Sequence, residues 1–149
     1  MQDQLTLINA IRVQKAKYCR FVDTKRWDDL ADLLVEKPKL RFFGPDSTLL
    51  YGFDSTAEWI QLMRNYLDGA HTIHQVHNGE IEIISDSEVR AIWSMEDYLI
   101  LAEGGDRPAS MHGYGHYHET WRFVGGRWRL AELELRRTIL EIKPRQQLQ

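Results

Sequence analysis

The apolar positions of this chain follow two rhythms. Up to Gly69 they recur every three or four residues, broken by one short extended stretch; from His71 onward they alternate. Leu5, Ile8, Ile11 and Ala16 keep helical spacing, and the pattern continues through Tyr18, Phe21 and Val22. The stretch DTKRWDDLADLL predicts a turn into a second helix, with Trp27, Leu30, Leu33 and Leu34 as its buried stripe and Asp23 or Thr24 as its cap. Pro38 closes that region. KLRFF reads as a short strand, and GPDSTLLYG as a turn into a further extended piece. DSTAEWIQLMRNYLDG predicts a third helix, started by the capping-box pair Ser55 and Glu58 and stopped at Gly69.

The remainder predicts long strands. HTIHQVHNGEIEII comes first, with Asn78-Gly79 as a candidate bulge that would shift its register. DSEVRAIWSMEDYLILAE places Val89, Ala91, Trp93 and Met95 on one face. ASMHGYGHYHETWRFV follows, then a Gly125-Gly126 hairpin turn, then RWRLAELELRRTILEI with Leu133, Leu135 and Ile139 on one face. Helices followed by a run of antiparallel strands make an α+β chain, a curved sheet wrapped around a helix. Where helices do not fill the concave face, a pocket is left.

Polar residues interrupt these apolar faces. Tyr18 and Asp23 share an arc of the first helix with Phe21 and Val22. Asp97 continues the series Val89 to Met95, and Arg137 lies between Leu135 and Ile139, so both are predicted to point inward. On the first long strand His74 shares parity with Val76, and His77 with Ile73; parity does not choose between the two histidines. Each residue alone has an ordinary explanation: a core tyrosine, a helix cap, a structural Asp97–Arg137 ion pair, a hydrogen-bonded sheet histidine. Together they are costly, because an unpaired buried charge costs several kcal/mol, roughly. A hydrated, functional hollow accounts for the whole set. Its natural chemistry is acid/base: an imidazole moves a proton, a carboxylate orients it, a phenol polarises a carbonyl, and a guanidinium holds an oxyanion.

Bulk properties narrow the class. The 149 residues are enough for one domain, expected over 1–149, with a real core. A net charge of −3 with mixed signs gives no electrostatic footprint for nucleic acid. One cysteine, Cys19, permits no internal disulfide and suits a reducing compartment. No apolar run spans a membrane and no signal peptide opens the chain, so a cytoplasmic location is expected. Nucleotide-binding and acyl-enzyme motifs are absent, and no metal or organic cofactor is expected. His112, Tyr114, His116 and His118 share one strand face; alternate histidines can bind a metal, but solvent exposure or pocket lining is the commoner state.

The segments KYCRFVDTKRWDDLADLL, DSTAEWIQLM, HTIHQVHNGEIEI, VRAIWSMEDYL and HYHETWRFVGGRWRLAELELRRT together resemble the SnoaL-like branch of the nuclear transport factor 2-like superfamily, from Leu5 to Ile142. That branch includes scytalone dehydratase, bile acid 7-alpha-dehydratase and hexachlorocyclohexane dehydrochlorinase. The resemblance implies a cone-shaped α+β barrel, with three N-terminal helices packed on a strongly curved, mostly antiparallel sheet. It also implies His74 as base, Asp23 as its partner and Tyr18 as an assisting phenol. Asp97 and Arg137 match further positions of the pattern and are expected to position the substrate or tune the charge. The implied reaction is β-elimination on a small hydrophobic, cyclic substrate, that is, a lyase of the dehydratase type. The rings of Trp59, Trp93 and Trp121 are expected to line the substrate site. By the same analogy the chain is expected to form a homodimer or homotrimer. Isomerisation or polyketide cyclisation, a non-catalytic binding module, and a small subunit of a ring-hydroxylating oxygenase are the alternatives on this fold.

Overall fold

The computed structural model describes residues 3–146, so the outermost residues of the expected 1–149 domain lie outside it. The element order is α1 (Gln4–Asp23), α2 (Trp27–Asp32), β1 (Leu34–Phe43), β2 (Leu49–Phe53), α3 (Thr56–Tyr66), β3 (His71–Ser85), β4 (Glu88–Ile100), β5 (Ser110–Val124) and β6 (Arg127–Lys143). The third helix thus follows two strands. Asp3 caps α1 by accepting from the Thr6 amide at 3.1 Å, and Ser55 caps α3 by accepting from the Glu58 amide at 3.3 Å. The expected cap of α2 is absent: its N-cap is Arg26, with no side-chain cap bond. Asp23 is engaged by β3, and the Thr24 hydroxyl donates back to the Arg20 carbonyl.

The buried stripe of α1 is Leu7, Ile11, Lys15, Tyr18, Cys19, Phe21 and Val22. Leu5 is 79% exposed and Ala16 is also outside. Ile11, Tyr18, Phe21 and Val22 are buried as expected, and Lys15 stands inside where Ala16 was expected. Lys15 is fully buried and pairs at 2.5 Å with Glu119 of β5, equally buried.

Six strands form one open sheet in the order β2-β1-β6-β5-β4-β3. All neighbours are antiparallel except β1 and β6, which run parallel. β3 and β6 lie three places apart, yet both touch α1, so the sheet bends around that helix. The sheet does not close into a barrel; β2 and β3 remain edges. β1 begins before Pro38, not after it. Proline has no N–H to give the ladder, and the β1–β6 register slips between Leu34 and Lys39.

Further slips decide which side chains face inward: one on β6 leaves Ala131 over, between Trp121↔Leu130 and Thr120↔Glu132, and two more bear on the hollow. Asn78, with φ 48°, and Gly79 form the expected bulge on β3, moving inward parity from His74 and Val76 to Ile81 and Ile83. On β6 the pairs Gly115↔Arg137 and Tyr114↔Ile139 leave Thr138 over. The faces therefore exchange: Ile139, expected inward, is 49% exposed, and Leu140 faces the interior. On β4 the inward series holds, with Val89, Ala91, Trp93, Met95, Asp97 and Leu99 all buried.

Candidate active site

The end of α1 meets β3. Asp23, its last residue, sits where the helix dipole disfavours negative charge, and three donors offset this. The His74 amide donates to Oδ2 at 2.9 Å, Thr72 Oγ1 donates to Oδ1 at 2.8 Å, and His74 Nδ1 lies 2.7 Å from the same Oδ1. In the tautomer whose Nδ1 proton is donated to Asp23, Nε2 is the ring nitrogen left to the hollow that His74 lines. The register then places His74 directly opposite Asp97 on β4, with Nε2 at 3.9 Å from Asp97 Oδ2.

Arg137 reaches Asp97 from β6, across β5. Nη1 donates to Oδ1 and Nη2 to Oδ2, both at 2.8 Å. The guanidinium crosses Gly113, the register partner of Asp97 on β5. A Cβ there would lie 2.0 Å from Arg137 Nη1 and 2.7 Å from Asp97 Oδ1. Burial pulls the Arg137 pKa down, but hydrogen bonds and charge from Asp97 outweigh it and leave the guanidinium above its usual range.

Tyr18 stacks on Trp59 of α3, with centroids 6.0 Å apart and planes 11° from parallel, and meets Tyr117 edge-on at 6.1 Å. Burial pushes both phenols well above the ordinary tyrosine pKa, with the Glu119 charge adding to Tyr18 and the Tyr18 phenol to Tyr117. Both hydroxyls therefore stay protonated. The Lys15 ammonium lies 3.8 Å and 3.6 Å from the two ring centroids.

These groups border a hollow of about 330 Å³, lined by Tyr18, Trp59, His74, Asp97, Tyr117 and Arg137 together with apolar residues including Phe42, Phe53, Met63 and Leu140. That is near the low end of small-molecule sites, about 300–1,000 Å³. A more open concavity of about 460 Å³ lies among Arg41, Glu82, Arg90 and Glu134. Its apolar patches, Ile81, Ala91, Ile92 and Leu133, are interrupted by charges of both signs, the mixed character of a solvated sheet face.

Of the residues singled out in the sequence, Tyr18, His74, Asp97, Arg137 and Trp59 line one hollow, and Asp23 stands behind His74. Trp93 and Trp121 do not line it. Both indole N–H groups donate to Glu119 Oε1, at 2.8 Å and 3.0 Å, and Trp93 packs beneath Gly79. Parity gave the face of Trp93 correctly, but not its distance along the strand; it gave none for Trp121. Tyr117 and Gly113 were missed. Their signal was available: if His112, His116 and His118 face outward, the odd positions of HGYGHYH face inward. Among the described residues no group of three or more ligating side chains is placed to hold a metal. His112 instead lies 3.1 Å from Glu96. No described helix is long and apolar enough to cross a membrane.

Residues 3–134 match a family described as a SnoaL-like domain. The protein named "Probable cyclase FGR4" of Gibberella zeae is 31% identical over 135 residues, which cover 85% of this chain and 88% of that one. A provisionally named scytalone dehydratase of Novosphingobium aromaticivorans superposes with a TM-score of 0.77 at 21% identity, covering 97% of both chains. A hexachlorocyclohexane dehydrochlorinase of Novosphingobium barchaimii gives 0.75 at 18% identity, covering 93% of this chain and 91% of that one. The two structures share the cone-shaped α+β arrangement of helices on a bent sheet.

Proposed function

The chain belongs to the SnoaL-like domain family, within the nuclear transport factor 2-like fold, and on that footing we propose that it is a cofactor-independent His–Asp lyase acting on a small, apolar, cyclic substrate. The single observation that carries this reading is the His74–Asp23 contact of 2.7 Å at the border of an apolar hollow, with Nε2 left open toward it. His74 Nε2 takes the proton beside a carbonyl, and Asp23 steadies the imidazolium. Tyr18 and Tyr117 donate to the carbonyl oxygen as charge develops there. The C–O bond to the leaving hydroxyl then breaks, and the imidazolium returns its proton to that oxygen. Water leaves, and the enzyme ends as it began. Proton transfer suffices, so the step calls for no metal or organic cofactor.

The cyclase name of the 31% identical relative favours a second reading, cyclisation or isomerisation from the same first proton abstraction. Product mass separates the two: elimination loses the mass of water, and rearrangement loses none. The test is turnover of a panel of cyclic β-hydroxy ketones by the wild type and His74→Gln. The variant is expected to lose about 10²–10⁴-fold in rate, while binding substrate with similar affinity and melting at a similar temperature. A variant as active as the wild type removes His74 as base. A panel that is bound but never turned over favours the binding-module alternative.

A further inference from the structure

The two charged groups of the hollow are spent on each other. Among the described residues Asp97 and Arg137 are the charged side chains of its lining, His74 aside. Both are nearly enclosed, with side-chain exposures of 5% and 12%. The two bonds of 2.8 Å occupy the outer fork of the guanidinium and both carboxylate oxygens. An unpaired arginine here would be a ready receptor for a ligand carboxylate. In this pairing it is not, because that place is already taken by Asp97.

We propose that Asp97 is a specificity residue: by closing Arg137 into a bidentate pair it reserves the hollow for uncharged, oxygen-bearing ring compounds and shuts out carboxylates. This deepens the lyase reading and rests on the hollow being the substrate site. Counted by formal charge with His74 as the neutral base, Asp23, Asp97 and Arg137 sum to one negative charge. An entering carboxylate would shed its water, meet that charge, and find the guanidinium fork filled. A neutral carbonyl or hydroxyl sheds its water at a smaller cost and meets no repulsion. It finds two phenol donors, Tyr18 and Tyr117, kept protonated by burial. The rest of the molecule meets Phe42, Phe53, Trp59 and Met63, which suit a planar fused-ring hydrocarbon frame.

The test compares two probes of one shape, 2-naphthol and 2-naphthoate, at neutral pH, where the first is uncharged and the second ionised. Binding is read by calorimetry. Wild type is expected to bind the naphthol at least about tenfold more tightly. Asp97→Asn keeps the side-chain shape, removes the charge and leaves the fork only one of its two acceptors. It is expected to reverse the order, gaining about tenfold or more for naphthoate. Asp97→Asn with Arg137→Gln removes the cation as well, and is expected to prefer naphthol again. The wild-type comparison needs no variant, so a misfolded Asp97→Asn does not shelter the proposal. Equal binding of both probes by wild type, or a folded Asp97→Asn with an unchanged ratio, overturns it. Either result leaves the effect of His74→Gln on turnover intact. Failure of wild type to bind either probe overturns the proposal, and removes the support that the lyase reading draws from this hollow.

Discussion

At the scale of the residue, the site depends on one side chain that is missing. Gly113 leaves the space through which Arg137 crosses β5 to Asp97. The atom that an added Cβ would strike is the far end of a flexible side chain, so the guanidinium gives way and the backbone stays. Gly113→Ala is therefore expected to keep its far-UV circular dichroism while turnover falls about tenfold or more, the effect of some 1.4 kcal/mol at the barrier. An unchanged rate would mean that the Asp97–Arg137 geometry does not matter. Tyr18, Asp23, His74, Asp97 and Arg137 could be picked from the sequence because each breaks an apolar rhythm, and the family resemblance then chose His74 over His77. Lys15 could not. Its partner Glu119 lies far along the chain, and a lysine in a helical stripe reads as the polar side until that partner is seen.

At the scale of the element, α1 does two jobs along its length. Its N-terminal half packs on the sheet, and its C-terminal end supplies Tyr18 and Asp23. Asp3 fixes its start: hydrogen bonds from the Thr6 hydroxyl and then the Thr6 amide hold this carboxyl below its usual pKa. A lowered carboxylate pKa contributes stability that is present above the unfolded value, here 3.8, and is lost as pH falls through the folded value. Asp3→Ala is thus expected to melt below the wild type at neutral pH. The gap should close only under acid conditions beneath that value, as followed by thermal melts across pH. A gap that persists in strong acid would assign the effect to something other than the ionised cap. The strands were legible as elements because their alternation is strong. The exchange of faces on β6 was not, since alternation of side chains cannot reveal where a ladder skips Thr138.

At the scale of the whole molecule, the Lys15–Glu119 pair fastens α1 to the middle of the sheet. Glu119 takes both indole N–H groups on Oε1 and faces the ammonium with Oε2. Breaking one half strands a charge: Lys15→Met is expected to cost about 3–5 kcal/mol in urea unfolding. Lys15→Met with Glu119→Gln carries no charge and keeps an acceptor for Trp93 and Trp121, so it should recover most of that loss. If both variants lose equally, packing rather than charge sets the stability here. The parallel contact of β1 with β6 lay beyond sequence reading, because it joins the first strand to the last and no local turn announces it.

The hollow is walled by α1, α3 and strands from both halves of the sheet, and its polar groups run from Tyr18 near one end of the chain to Arg137 near the other. No single stretch of chain supplies all of these groups. A nascent chain leaves Asp97 without Arg137 until its last strand has docked between β1 and β5, so the proposed site is complete only in the finished fold.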